Sequence, residues 1–192
     1  MEDRLVDMIV ESEIRGVTPE MIDWWWDNMD KGYPLWHPTD HISFRWEVSP
    51  AQNGHVGAVQ VVVEGASRAP APYELHIRWA DPNEIPNLPI MYKHVLLSAD
   101  APRPDGKPVT RWMIHQYEAT SYGTKIRSHQ HWDDGRPRAS GEGWIKHSRE
   151  EAMRFPHFLP ELFRLWQEVK NPAVNVPCCL EYPYKDINKP RY

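Results

Sequence analysis

The spacing of hydrophobic residues predicts one helix early in the chain, a run of strands, and a long helix near the end. Thr18-Pro19-Glu20 is a typical helix start, with a hydroxyl N-cap, proline at the first helical position and an acid in the first turn. The next turns carry a single apolar face, and Gly32 should end the helix. That face consists of Ile22, Trp25, Trp26 and Met29.

Residues 42–48, ISFRWEV, alternate apolar and polar side chains, as a half-buried strand does. Five more segments predict strands: HVGAVQVVVEG, YELHIRWA, YKHVLLSA, TRWMIHQYEA and TKIRSHQHW. The segments RPDGKP and DDGRPRASGEG are typical of turns. Because these strands follow one another without intervening helices, we expect antiparallel pairing rather than a parallel sheet.

The last periodic segment predicts a helix that opens between His147 and Arg154, with a kink or break near Pro156 and Pro160. Its apolar stripe consists of Leu159, Leu162, Phe163, Trp166 and Val169. A long helix across an antiparallel sheet would cover one face and enclose a cavity. We therefore expect an α+β helix-grip fold, with a closed β-barrel as the alternative. The prediction is a single catalytic domain over 1–192, with a core of about 18–170 and an irregular, proline-rich tail over 171–192.

Composition excludes several classes of function. The chain has 192 residues, a net charge of −5 and a pI near 6.0, so it has no electrostatic reason to bind nucleic acid or an anionic membrane. No apolar run is long enough to span a bilayer. The adjacent Cys178 and Cys179 are poorly placed for a disulfide, and the acidic start of the chain is not a secretory signal, so we expect a cytoplasmic protein. Ten tryptophans could fill a core or line a pocket for a flat ligand.

Two segments carry residue types that bind metals. In HSREEAM, His147 and Glu151 are four residues apart and would project from one helix face, where a single zinc ion could reach both. In YPLWHPTDH, His37 and His41 could add imidazoles, or could simply belong to a capped loop. Glu64 closes a strand and would point to its buried face if the strand extends that far, in which case it needs a partner.

A competing metal signal lies further along. Gly123 followed by His129-x-His131 matches the first half of a cupin metal motif, although the glutamate and the second motif are missing. The same histidines could equally serve as acid–base groups in a cavity. This leaves a cupin-type iron dioxygenase as one alternative function, and a non-enzymatic carrier of a hydrophobic ligand as another.

Taken in order, MIDWWWDNM, YPLWHPTDH, VEG, MIHQYEA, IRS, HSREEAM and FLPELF resemble the 2,4-diacetylphloroglucinol hydrolase family, which includes phloretin hydrolase, over residues 18–166. The resemblance implies a START-like, pollen-allergen-like helix-grip domain. It also implies a zinc-dependent hydrolase that cuts carbon–carbon bonds in ketonic substances such as acylphloroglucinols.

By position, the resemblance implies that Zn²⁺ is bound by His41, Glu64, His147 and Glu151. It implies that Tyr33 meets the substrate and that His115 is a cavity histidine. Phe44 stands where an amide is expected, so His129 and His131 remain candidates for proton transfer. We expect a small aromatic or polyketide-like substrate, no nucleic-acid or membrane partner, and leave a homodimer open.

Overall fold

The computed structural model, which describes residues 3–67, 69–101 and 109–184, contains one curved sheet of seven antiparallel strands. The strands are β1 (Arg4–Arg15), β2 (Ser43–Val48), β3 (Val59–Glu64), β4 (Tyr73–Ala80), β5 (His94–Ala99), β6 (Arg111–Thr120) and β7 (Gly123–Pro137). Their order is β1-β7-β6-β5-β4-β3-β2. The predicted antiparallel sheet is confirmed, and the sheet is open between β1 and β2 rather than closed into a barrel. The predicted turn RPDGKP lies outside the described residues.

Strand β1 was not predicted, and with it the sheet begins before the expected core of 18–170. Its side chains alternate, with Met8, Val10 and Ile14 buried between exposed acidic and apolar residues. It pairs with β7 along almost its whole length, from Arg4 opposite Pro137 to Arg15 opposite Gly123. The final strand of the sheet is therefore covered on its outer edge by the first.

Helix α1 (Pro19–Asp27) begins as predicted, because the Thr18 side chain accepts a hydrogen bond from the Met21 N–H. It ends before Gly32, however, which instead caps a 3-10 turn over Met29–Lys31. Two short helices follow, α2 (Tyr33–Trp36) and α3 (Pro50–Asn53), and a second 3-10 turn covers Pro82–Glu84.

The long helix α4 (Arg138–Arg154) starts about two turns earlier than predicted, so the whole of DDGRPRASGEG is strand and helix rather than turn. Gly135, at φ 68°, lies near the end of β7, where the pairing with β1 changes register. Gly141 lets α4 approach β1, because a Cβ there would lie 2.8 Å from Leu5 Cδ1 and 3.1 Å from Met8 Sδ. The glycines that suggested a turn are thus used for a close helix–sheet contact.

The predicted break near Pro156 is confirmed, since a 3-10 turn (Phe155–His157) separates α4 from α5 (Leu159–Trp166). Contrary to expectation, the apolar stripe of α5 has α1 as its main neighbour, with Phe163 edge-on to Trp24 at 5.5 Å. It is α4 that lies against β1 and β7. The tail forms no helix or strand up to residue 184, although Leu180 is fully buried and its carbonyl accepts from Val95.

Hydrophobic residues form two clusters. The larger contains the tryptophans of α1, Trp79 and Phe155, and it lies between the helices and the concave face of the sheet. The smaller contains Leu97 and Ile114. Among the described residues, no helix is both long and apolar enough to cross a membrane.

Candidate metal centre and cavity

Four ionisable side chains from three separate segments converge below α4. His41 follows α2, Glu64 ends β3, and His147 and Glu151 are one turn apart on α4. His41 Nε2 lies 3.4 Å from His147 Nε2, 3.2 Å from Glu151 Oε1 and 3.6 Å from Glu64 Oε2. His147 Nε2 lies 3.1 Å from the same Glu151 oxygen. The two imidazoles and two carboxylates therefore face a common point, and all four residues are buried.

The other nitrogen of each imidazole is held by a hydrogen-bond acceptor. His41 Nδ1 lies 3.2 Å from the Tyr33 carbonyl oxygen, and His147 Nδ1 lies 3.3 Å from Asp40 Oδ2. Because both acceptors favour a proton on Nδ1, each imidazole can present the lone pair of Nε2 to the common point. Such outer contacts orient metal-binding histidines in known sites.

This donor set fits a cation. Two imidazole nitrogens 3.4 Å apart lie beside two carboxylates, so four potential ligand groups face one point. Burial alone would raise the pKa of the Glu151 carboxyl, but His147 and then His41 lower it well below its ordinary value, so it is ionised. Imidazole and carboxylate together are typical ligands of zinc and of other divalent transition metals.

Asp40 is a residue whose role the sequence did not reveal. It is fully buried, and besides facing His147 it accepts hydrogen bonds from the Gly65 and Ser67 N–H groups and from the Ser67 hydroxyl. One carboxylate thus fixes both the loop after Glu64 and the ring of His147.

His37 lies beside the centre without facing it. Its ring stacks on that of His147, with centroids 4.7 Å apart and planes at 14°. Its Nε2 points to Glu150 Oε2 at 3.2 Å and its Nδ1 to Thr39 Oγ1 at 3.4 Å. The structure therefore brings His41, and not His37, together with the helix pair.

The centre opens onto a cavity of about 730 Å³, within the usual range for a small-molecule site. Glu64, His147 and Glu151 line it together with aromatic residues from the helices and the sheet. These aromatic residues are Trp26, Tyr33, Trp36, Trp79, Trp112 and Trp144, among others. The predicted cavity between helices and sheet is present, and aromatic walls of this kind suit a flat ligand.

His115 lies on β6 and lines the cavity, as predicted. Its ring stacks on Trp26 at 5.0 Å, and its Nδ1 lies 2.7 Å from Ser128 Oγ on the paired strand. Burial lowers the pKa of His115 to about 4, against a smaller opposing effect of Glu151. The ring is therefore neutral near pH 7. Only the strand pairing reveals Ser128 as its partner.

Tyr33 and Phe44 stand at the edge of the centre. The Tyr33 ring is stacked on His41 at 4.1 Å, and its hydroxyl donates to Glu64 Oε2 at 2.9 Å. Phe44 packs against Tyr33 at 5.4 Å and Trp46 at 4.9 Å. Tyr33 therefore positions one of the two converging carboxylates, and Phe44 supplies apolar contact where an amide was expected.

His129 and His131 lie on the opposite face of the sheet from His115, because Ser128 and Gln130 take the cavity-facing positions of β7. His129 Nε2 and His131 Nδ1 lie 2.7 and 2.8 Å from the same oxygen of Asp7. These two histidines therefore lie outside the cavity, and together with Asp7 they form a group that could hold a metal ion on the other face of the sheet. Asp27, His55 and Cys178 form another group that could hold a metal ion, beside the C-terminal tail. In this group Asp27 accepts a hydrogen bond from His55 Nδ1 at 2.7 Å.

A family model matches most of the chain. The sequence matches the family model described as DAPG hydrolase PhiG domain over residues 5–137, a range that contains His41, Glu64 and His115 but ends before His147. No curated protein matches the chain.

Similar solved structures show the fold. Protein Ms6760 from Mycobacterium smegmatis has a TM-score of 0.54 at 12% identity, covering 84% of this chain and 96% of that chain. Ara h 8.0201 has a TM-score of 0.52 at 14% identity, covering 81% and 99%. Protein NE0264 from Nitrosomonas europaea has a TM-score of 0.51 at 12% identity, covering 85% and 97%. The predicted helix-grip fold is confirmed.

Proposed function

Because the chain belongs to the DAPG hydrolase family, we propose that it is a zinc-dependent hydrolase that breaks the carbon–carbon bond between an acyl group and a phenolic ring. The family supports hydrolysis of an acylphloroglucinol-like substrate. The single observation that carries the rest is the convergence of two Nε2 atoms and two carboxylates in one wall of an aromatic cavity.

In this proposal His41, Glu64, His147 and Glu151 hold one Zn²⁺. The donor types and their orientation by Tyr33 and Asp40 support the assignment. When bound, such an ion polarises a carbonyl or phenolic oxygen and lowers the pKa of a coordinated water.

The overall reaction consumes one water. The water's oxygen forms a bond to the acyl carbon, the bond from the acyl carbon to the ring breaks, and the ring carbon gains a proton. The products are a carboxylic acid and the deacylated phenol. The ring carbon must be protonated before it can leave, so the chain needs a group that moves a proton in the cavity.

We assign this proton transfer to His115. The ring is neutral near pH 7, so it can accept a proton from a hydroxyl or a water. The low pKa also makes its protonated form more acidic than an ordinary imidazolium, so that it returns the proton readily. Ser128 Oγ at Nδ1 and the Trp26 ring hold the imidazole in place. Tyr33 orients a phenolic oxygen of the substrate beside Glu64 in the same scheme.

The test is hydrolysis of acylated phenols by zinc-loaded protein, with the acid and the deacylated phenol measured by mass spectrometry. The variant His115→Gln should keep its zinc and lose about 10²- to 10⁴-fold in turnover. The matched control His131→Ala, on the other face of the sheet, should keep turnover. No hydrolysis of any acylated phenol by loaded protein, or oxygen uptake in its place, would reject the proposed reaction, and full activity of His115→Gln would reject the role of His115.

We also propose that the protein acts in the cytoplasm, since Cys178 and Cys179 are both free thiols. A small aromatic substrate is the partner that the cavity supports best.

A further inference from the structure

Gln60 is a buried amide in the cavity wall. It lies on β3, is 3% exposed, and lines the cavity together with Glu64. Residues two apart on a strand share a face, so Gln60, Val62 and Glu64 form one row along the wall. Its cross-strand neighbours are Trp46 on β2 and Ile77 on β4. Gln60 therefore stands four residues from the metal centre, in largely apolar surroundings.

Among the residues that the structure describes, none forms a hydrogen bond with the amide of Gln60. Its Oε1 is enclosed and has no hydrogen-bond partner, and no described residue bonds to its Nε2. An unpaired buried polar group is costly and uncommon in folded proteins. Gln116 on β6 shows the usual arrangement, since its Nε2 donates to the Pro89 carbonyl at 2.7 Å and its Oε1 accepts from Met91 N–H at 2.6 Å. Gln60 lacks what Gln116 has, although both are buried.

We propose that Gln60 determines substrate specificity by hydrogen-bonding a ring hydroxyl at the end of the substrate remote from the metal centre. The inference rests on the proposed function, because it places the acyl group beside Glu64. Four residues of strand separate the Cα atoms of Gln60 and Glu64 by about 13 Å, at about 3.3 Å per residue. Both side chains line the cavity, and this separation leaves room for one aromatic ring between them. The hydroxyl that faces Gln60 is then the one para to the acyl group.

The chemistry of the amide suits a hydroxyl. A hydroxyl donates to a carbonyl oxygen and accepts from an N–H, and rotation of the amide by 180° lets Gln60 present either atom. The substrate class is accordingly an acylated phenol with a para hydroxyl. An analogue without that hydroxyl would leave the buried amide unpaired, and sites of this kind discriminate against such analogues.

The experiment measures binding rather than turnover. Zinc-loaded protein is titrated with 2,4,6-trihydroxyacetophenone and with 2,6-dihydroxyacetophenone, which lacks only the para hydroxyl, and tryptophan fluorescence reports occupancy. The wild-type protein should bind the first about three- to tenfold more tightly, which is the usual contribution of one hydrogen bond. Gln60→Met should abolish this preference by weakening only the trihydroxy compound. It should also leave the melting temperature of ligand-free protein unchanged or raised, because it removes an unpaired amide.

Gln116→Met is the matched control. It should lower the melting temperature, since it removes the hydrogen bonds to Pro89, Met91 and Tyr92, and it should keep the preference between the two compounds. If Gln60→Met retains the preference, or weakens both compounds equally, the proposal is wrong.

The wild-type protein supplies a second measurement in case Gln60→Met does not fold. With 2,6-dihydroxy-4-methoxyacetophenone, whose para oxygen cannot donate, binding no stronger than that of the dihydroxy compound supports a hydroxyl that donates to Oε1. Binding as strong as that of the trihydroxy compound supports donation from Nε2, and equal binding of all three compounds overturns the inference. If the protein prefers the compound with the para hydroxyl but hydrolyses no acylated phenol, the proposed reaction is wrong and the role of Gln60 stands. If it hydrolyses acylated phenols without this preference, the role of Gln60 is wrong and the reaction stands.

Discussion

The stacked pair His37 and His147 allows a direct test of the metal centre. Both imidazoles are buried, with 7% and 6% exposed, and their rings lie 4.7 Å apart and nearly parallel. They differ in where the nitrogens point, since His147 Nε2 faces Glu151 and His37 Nε2 faces Glu150. Replacing each by alanine removes the same atoms from neighbouring positions. Only His147→Ala should affect metal binding.

The size of the effect follows from the number of donors. Structural zinc sites bind with about 10–16 kcal/mol in total, so one of four ligands accounts for about 3 kcal/mol, or about 10²-fold in affinity. An ion present at a thousand times its dissociation constant stabilises the native state by about 4 kcal/mol. For a chain of this size that corresponds to about 8–16 °C in melting temperature. A chelator should therefore lower the melting temperature of the wild-type protein by about this amount.

The assay measures metal content by elemental analysis after gel filtration. It also compares thermal unfolding with and without EDTA. Wild-type protein and His37→Ala should each carry close to one zinc per chain and respond to EDTA. His147→Ala should bind zinc about 10²-fold more weakly, so it should lose zinc more readily on gel filtration and respond to EDTA less than half as strongly as the wild-type protein, and Glu151→Ala should behave in the same way. Full zinc content in both helix variants, or loss of zinc from His37→Ala alone, would refute the assignment.

Three further predictions concern the rest of the molecule. Burial lowers the pKa of His115 in the folded state from 6.5 to about 4, so as pH falls the unfolded chain binds this proton before the folded protein does. The free energy of unfolding should therefore decline between pH 6.5 and 4, by about 3 kcal/mol in total. With chelator present throughout, urea unfolding of His115→Gln should show a shallower decline. His129→Ala should keep both zinc and turnover, since this ring faces away from the cavity; loss of zinc there, with none in His147→Ala, would revive the cupin alternative. Gly143→Ala should be more stabilising than Gly141→Ala by about 1 kcal/mol in thermal unfolding. Both substitutions remove a helical glycine, but only a Cβ at position 141 would meet Leu5. Equal effects of the two substitutions would contradict the close contact.

The strands with clear alternation and the helix start at Thr18 could be predicted from the sequence, because local chemistry decides them. β1 could not, since its alternation of Met8, Val10 and Ile14 is mixed with charged residues and with exposed Val6 and Ile9. Its partner β7 is remote in sequence. The early start of α4 could not be predicted either. Gly141 looks like a turn residue in the sequence, and only its contact with β1 shows why a glycine lies inside the helix.

The candidate site was predictable in its ligands and not in their surroundings. The i, i+4 spacing on a helix is local, so His147 and Glu151 could be paired from the sequence alone, whereas His41 and Glu64 came from the resemblance. Asp40, Ser128 and Gln60 gain their roles only from tertiary contacts. The sequence could not show which face of the sheet His129 points to. Both faces carry buried apolar residues, so the hydrophobic pattern of β7 does not identify the face that lines the cavity.

The pairing of β1 with β7 has a consequence for synthesis of the protein. More than a hundred residues separate the paired positions Arg15 and Gly123. A ribosome that adds about 5–20 residues per second leaves β1 without its partner for roughly 5–20 s after it has been made. During that time a strand with apolar side chains is open to pairing with other nascent chains. Its acidic residues, which include Asp7, Glu11 and Glu13, oppose such pairing by charge. We expect these acidic residues to limit aggregation of the nascent chain while β1 has not yet paired with β7.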